Sequence, residues 1–338
     1  MTDGAQRLHR FLPHIPSPGA RDDPSLLGLS WIGPETPADP PAGPPLQHIR
    51  ADCLAGDAVE AWFGAGPVED GARHGVRWRH DGELLFGVID VAEDASCPAG
   101  VGPLLQRAGR HAYRSLFRVL AEEGYPHLWR TWNYLADING EHDGLERYRQ
   151  FNVGRHEAFE EAGRLAMDSI PAASALGVAG GPLSIAFLAA RTPAVPVENP
   201  RQLSAYRYPA DYGPRSPTFS RAALGRLPGA EWLFVSGTAS IVGHRSIHPD
   251  DAVAQTREII VNLEALLAEA SRHGAGPAYR LDELGARVYL RRPADLPAVR
   301  GVLAAALGEG APVVYLHADV CRADLLVEIE AQACHLLS

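Results

Sequence analysis

Leu325 to Ala331, near the end of the chain, alternates in the manner of a strand. The pleat sends Leu325, Val327, Ile329 and Ala331 to one face and Leu326, Glu328 and Glu330 to the other. Two carboxyls on one face admit two readings. Exposed, they form an ordinary solvated surface; lining a cavity, at least one acquires a raised pKa through desolvation and like-charge coupling, which suits a general acid. Arg155 supplies the opposite charge. In a helix over 145–159, Leu145, Tyr148, Asn152, Arg155 and Phe159 share one stripe. A guanidinium among core-facing positions needs an anion, which is either a protein carboxylate or a ligand. The segment 204–217 carries Tyr206, Tyr208, Tyr212, Arg207 and Arg215 on a chain stiffened by Pro209, Pro214 and Pro217. It reads as an anion-reading loop or as a covering loop packed through its aromatics. Cys321 stands seven residues before Glu328 and, taken alone, is a small core residue.

Composition narrows the chemistry further. All 31 Lys+Arg residues are arginine, which excludes Schiff-base catalysis, a pyridoxal-phosphate anchor and a P-loop lysine, because each requires an amine. Ser236–Ser240 is small and flexible but has neither the lysine nor the spacing of a phosphate loop. A formal net charge of −10 argues against nucleic acid or an anionic membrane as partner. Cys53, Cys97, Cys321 and Cys334 are scattered, so neither a metal site nor a disulfide framework is expected, and no cofactor is implied. No apolar run approaches the ~20 residues of a membrane span, and the expectation is a reduced, cytoplasmic chain.

The elements that must position these groups follow from periodicity. The 338 residues suggest two lobes. Residues 1–45, with Pro34, Pro37, Pro40, Pro41, Pro44 and Pro45, read as an irregular surface leader, followed by lobes at 46–195 and 196–338. Strands are expected at 77–79 and 84–91, flanking the turn His80–Gly82, and at 127–138, 231–236, 313–316 and 325–331. Helices are expected at 104–123, ended by Gly124, at 145–163, and at 249–273, ended by Gly274. The order strand, helix, strand, helix occurs twice around an irregular stretch at 193–217, so helices should back a sheet in each lobe.

Two resemblances bear on this outline. Val235–Thr238, Gln255–Thr256, Asn262 and Val327–Ala331 resemble the YjgF/Rid superfamily, a small α+β fold that binds ligands in clefts between subunits; the position of the substrate-binding arginine of Rid imine deaminases falls here at Val313. A closer resemblance, over most of the chain from about Tyr125, is to the chorismatases. It is carried by Arg130–Tyr134 with Ile138–Asn139, Arg147–Arg155 with Ala158–Phe159, Val197–Tyr208, and Tyr212–Pro217. The resemblance implies a monomeric α+β protein of two YjgF/Rid-like lobes, with helices backing mixed β-sheets and an active cleft between the lobes. It implies cofactor-free cleavage of chorismate to pyruvate and a cyclic acid. Glu328 would be the proton donor to the enolpyruvyl methylene, and Tyr148, Arg155, Tyr206, Tyr212 and Arg215 would read the substrate's carboxylates. Cys321, with Gly237 and Ala239, would steer the product to 3-hydroxybenzoate. The rivals are hydrolysis to a dihydroxycyclohexadiene carboxylate and a non-catalytic Rid-type carboxylate-binding module.

Overall fold

The structure is a computed structural model that describes residues 9–12, 23–35 and 43–337. Its first lobe is a mixed six-stranded sheet in the order 172–178, β1 (His127–Ala136), 183–190, 84–91, 76–80, 69–73. Residues 172–178 run parallel to β1 and the other pairings are antiparallel. Helices α1 (Leu104–Glu123) and α2 (Arg147–Glu161) back one face of this sheet. Helix α1 presents Leu105, Ala108, Ala112, Leu116, Val119 and Leu120 to the core, and Gly124 ends it at φ 75°, a left-handed cap that glycine adopts without a Cβ penalty.

The second lobe is a seven-stranded sheet in the order 195–197, β2 (Ala222–Leu227), β3 (Ala230–Ala239), β5 (Val327–Leu336), β4 (Gly285–Leu290), 313–317, 53–55. Helices α3 (Ala252–His273) and α4 (Leu296–Leu307) cover its outer face. Asp251 caps α3 by accepting from the Ala254 amide at 2.9 Å. The inner faces of the two sheets meet across an aromatic core that includes Trp129, Trp132, Tyr134, Trp232, Phe234 and Tyr289. The two-lobed α+β architecture with helix-backed mixed sheets is therefore present. The sheets cross the expected lobe boundary in two places, since 195–197 and 53–55 both join the second sheet.

The leader reading needs correction. Leu26–Ile32 is a strand of a four-stranded sheet ordered 9–12, 59–63, 26–32, 46–49, and nearly all of it is buried. The run is short and apolar, and proline-rich flanks disguise it. Gly28 sits at a register shift where a Cβ would collide with the Phe86 ring. Pro37, Pro40 and Pro41 lie outside the described residues. Two smaller corrections concern elements near the site. Residues 145–146 pair with 141–142 as a short hairpin before α2 begins at Arg147, and Leu326 packs with the helix-backed core because the strand starts only at Val327. No described helix is long and apolar enough to cross a membrane.

Because Leu27 is fully buried in the inter-sheet core, Leu27→Ala should destabilise the protein by about 2–5 kcal/mol in denaturant unfolding. A change under about 0.5 kcal/mol, typical of surface sites, would restore the leader to the surface.

Candidate active site

Strand β5 lies between β3 and β4, and its alternation turns Glu328 and Glu330 away from the helices toward the first lobe. Both are buried, at 4% and 1% exposure, so the solvated reading fails. Glu330 is held by ion pairs. Arg130 Nη2 donates to its Oε2 at 2.6 Å and contacts Ser174 Oγ at 3.1 Å, while Arg287 Nη1 lies 3.4 Å from its Oε1. Arg287 also pairs with Glu60. Among the described residues, Glu328 makes no such pair. Burial first, and the neighbouring Glu330 second, push its carboxyl up to about 8, against the smaller opposing pull of Arg130 and Arg221. It is therefore largely neutral at pH 7 and can donate a proton.

Gly237 explains how that carboxyl fits. The segment expected to be a flexible loop is the end of β3, where the pairing with β5 slips between Val235 and Thr238. Ser236 anchors the slip to the first lobe: its Oγ accepts from the Ala173 amide at 2.9 Å and donates to Ser220 O at 2.6 Å. A Cβ on Gly237 would collide with Glu328 Oε1, so glycine is what permits the carboxyl its place. Ala239 is the direct cross-strand neighbour of Glu328.

Glu328 opens into a cavity of about 270 Å³, with an adjoining recess of about 30 Å³. Tyr148, Phe219, Gly237 and Cys321 line both spaces with it. Arg149, Arg221 and Arg322 reach the main cavity and Arg155 the recess. Arg155 is 1% exposed and lies 5.2 Å from the Phe151 ring centroid; it donates to Asn152 Oδ1 at 3.2 Å, and its Nε has no partner. Among the described residues it forms no ion pair with a carboxylate, and it lines the recess. Arg221 donates to Tyr208 Oη and to Leu203 O, both at 2.7 Å, and its Nε is unpartnered. Arg322 stacks 4.2 Å from the Tyr212 ring centroid, with Nη2 unpartnered. These are fixed guanidinium forks with donors to spare.

Cys321 Sγ lies 4.0 Å from Glu328 Oε2. Burial, and then the adjacent Glu328, push its thiol up to about 12, so it is a neutral neighbour of the acid and no thiolate nucleophile. Burial likewise raises the Tyr148 phenol, which stays protonated. A larger concavity of about 1020 Å³ flanks the far end of β5. Its histidines are engaged, His9 with Glu60 at 2.7 Å and His335 with Glu283 at 3.1 Å. The chemistry is concentrated in the smaller cavity.

A family description for FkbO/Hyg5-like chorismatases, N-terminal, matches residues 60–189. A 3-hydroxybenzoate synthase of Streptomyces hygroscopicus is 41% identical over 283 residues, covering 80% of each chain. The chain belongs to the chorismatase family. A chorismatase of Streptomyces rapamycinicus is 42% identical over 279 residues, covering 80% of this chain and 81% of that one. The crystal structure of a chorismatase superposes with a TM-score of 0.85 at 36% identity, covering 96% of this chain and 97% of that one.

Of the residues to which the chorismatase resemblance pointed, Tyr148, Tyr212, Gly237, Ala239, Cys321 and Glu328 line the main cavity and Arg155 the recess. Tyr206 and Arg215 do not reach either space. Short 3₁₀ turns at 205–207 and 210–212 break the loop's extended run. They leave Tyr206 half-buried against Arg207 and Arg215 exposed near His156. Tyr208 and Arg221 take those places. Tyr208 belongs to the same aromatic loop, but Arg221, just before β2, has no sequence signal. Tyr212 lines the cavity with its ring, because its hydroxyl donates to His244 O at 2.7 Å.

Gly237→Ala is expected to displace the Glu328 carboxyl. Turnover should fall about 10²-fold, as misplacement of a catalytic group by roughly 1 Å costs, with a melting temperature within a few degrees of wild type. Unaltered turnover would mean that the strand slip has room for a methyl group.

Proposed function

We propose that this chorismatase cleaves chorismate to pyruvate and 3-hydroxybenzoate, with Glu328 as the proton donor and both lobes of a single chain forming the site. The observation that carries this reading is a buried, neutral carboxyl opening into a cavity where guanidinium groups converge. Chorismate is a dianion whose enolpyruvyl ether ends in a nucleophilic methylene carbon. Protonating that carbon creates an oxocarbenium-like centre, after which the ring C–O bond breaks and pyruvate leaves. The step requires an acid that is protonated near neutrality and cations fixed on two carboxylates. Arg155 in the recess and Arg221 and Arg322 in the main cavity suit the two carboxylates, with Tyr148 and Tyr212 shaping the space between them. The protein's net negative charge does not interfere, because low-dielectric surroundings make the local clamp dominate.

The product depends on what replaces the departing ether oxygen. A hydroxyl within the substrate leads to 3-hydroxybenzoate and consumes no water, whereas attack by water gives the dihydroxycyclohexadiene acid and consumes one. Support for the first outcome is the uncharged Cys321 thiol against Glu328, in the position the family associates with that product. A relative named 3-hydroxybenzoate synthase supports it as well.

Incubating the purified protein with chorismate tests the whole reading: pyruvate and 3-hydroxybenzoate should appear together. Glu328→Gln, which preserves shape and removes the transferable proton, should lower the rate by ~10²–10⁴. Because the functional form is protonated and the pKa is raised to about 8, wild-type turnover should hold through neutrality and fall about tenfold per pH unit above roughly 8. A protein that binds chorismate without releasing pyruvate would be a carboxylate-binding module instead. Cys321→Ala should move product toward the dihydroxycyclohexadiene acid by several-fold, a free-energy difference of about 1 kcal/mol. An unshifted product ratio would reduce Cys321 to packing.

A further inference from the structure

The two carboxyls of β5 sit on one face two residues apart, yet only Glu328 lines the cavity. Glu330 lies one pleat deeper, at the end of a buried chain of charges. Arg130 of β1 donates to it at 2.6 Å, Arg287 of β4 stands 3.4 Å from its other oxygen, and Arg287 continues the chain to Glu60. Both guanidinium groups also flank the Trp132 ring, at 5.2 and 5.7 Å from its centroid. Two cations and two carboxylates balance, so no surplus positive charge is left beside Glu328. Remove Glu330 and that balance fails on two counts. The like charge beside the proton donor disappears, and Arg130, whose Nη1 has no hydrogen-bond partner, becomes an unpaired cation on the donor's flank.

We propose that Glu330 is a positioning residue for Glu328: the Arg130–Glu330–Arg287–Glu60 chain fixes a second carboxylate beside the proton donor and so holds that donor in its neutral form. The inference rests on Glu328 being the proton donor and adds to it the residue that sets its protonation state. The other groups packed around Glu328 do not replace Glu330. Arg130 of β1 and Arg221, before β2, are cations that favour the ionised carboxyl. Tyr148 of α2, Cys321 and the cross-strand Tyr289 of β4 are all neutral groups, since burial raises each of them. Burial acts in the same direction as Glu330 on the Glu328 carboxyl, but it is common to both carboxyls, and only one of them carries the two ion pairs.

The test is the pH profile of kcat for pyruvate release from chorismate in wild type, Glu330→Gln and Glu330→Asp. In Glu330→Gln the basic limb should move down by about one pH unit or more, as expected for removing a charge two strand residues away at an intermediate dielectric. Activity would then fall about fivefold at pH 8, approaching tenfold above it, and recover toward wild type well below the limb, with KM little changed. Glu330→Asp should restore most of the wild-type limb. Glu330→Gln leaves a buried cation, so Arg130→Gln/Glu330→Gln provides a charge-balanced variant that keeps the Glu60–Arg287 pair and should show a smaller downward shift, because the pull of Arg130 on Glu328 is removed with it. A limb at the wild-type position in a folded variant, or a loss of rate uniform across pH, would overturn the proposal, and failure of both variants to fold would assign the chain to folding alone. A ¹³C titration of labelled glutamate carboxyls, assigned with Glu328→Gln, reads the same shift without substrate. It separates the two readings: inactivity of wild type or full activity of Glu328→Gln removes the proton donor, whereas an unmoved Glu328 titration in Glu330→Gln removes only the role of Glu330.

Discussion

Desolvation of one carboxyl governs the arrangement of this protein. For Glu328 to remain neutral at pH 7, both faces of β5 must be dry. The outer face is covered by α3 and α4, through Val327, Ile329 and Ala331. The inner face is covered by the first lobe through Trp132 and Tyr134, and the Tyr134 hydroxyl pairs with that of Tyr289 on β4 at 2.6 Å. Neither lobe alone could bury the acid. In the proposed mechanism the inter-lobe contact thus serves the acid as well as the core, and the strand slip at Gly237 leaves room for the Glu328 carboxyl.

Arginine plays two opposite parts within a few ångströms of that carboxyl. Arg130 and Arg287 are ion-paired with protein carboxylates and contribute a fixed local field. Arg155, Arg221 and Arg322 each keep a buried nitrogen unpartnered and face open space. A buried cation without its anion is costly, and the cost is relieved when a ligand brings the charge. On the proposed reading, the cavity is organised for an anion before one arrives, with little reordering left to oppose binding.

Much of this was legible in the sequence wherever one face of an element meets solvent. Helix α1 follows its apolar stripe from Leu105 to Leu120 and stops where Gly124 predicts. The hairpin strands at 76–80 and 84–91 flank the expected turn. The strands 172–178 and 183–190 gave no such signal, because helices cover one side and the second lobe the other, and a strand buried on both faces loses its alternation. The same limit applies at the site. Alternation places Glu328 and Glu330 on one face, but whether that face is wet depends on Arg130, 200 residues away in sequence. The loop at 204–217 was recognisable as aromatic and cationic, while the choice of Tyr208 over Tyr206 was made by two 3₁₀ turns that composition does not announce.

The buried chain from Glu60 to Arg130 is poorly explained by stability. Four charges removed from water lose about as much in solvation as they regain in mutual attraction, and well-packed apolar residues of similar volume commonly do as well. What apolar residues cannot supply is a field. A charged pair beside Glu328 acts on its ionised and neutral forms unequally, whereas a leucine in its place would add only desolvation. Desolvation alone would also shift Glu328, but it would leave Arg221 facing the carboxyl with nothing to oppose its pull toward ionisation. The arginines that make the cavity attractive to a dianion thus work against the acid that must act on it. An internal anion, itself pinned by two guanidinium groups so that it cannot turn into the cavity and compete for the ligand's arginines, reconciles the two demands.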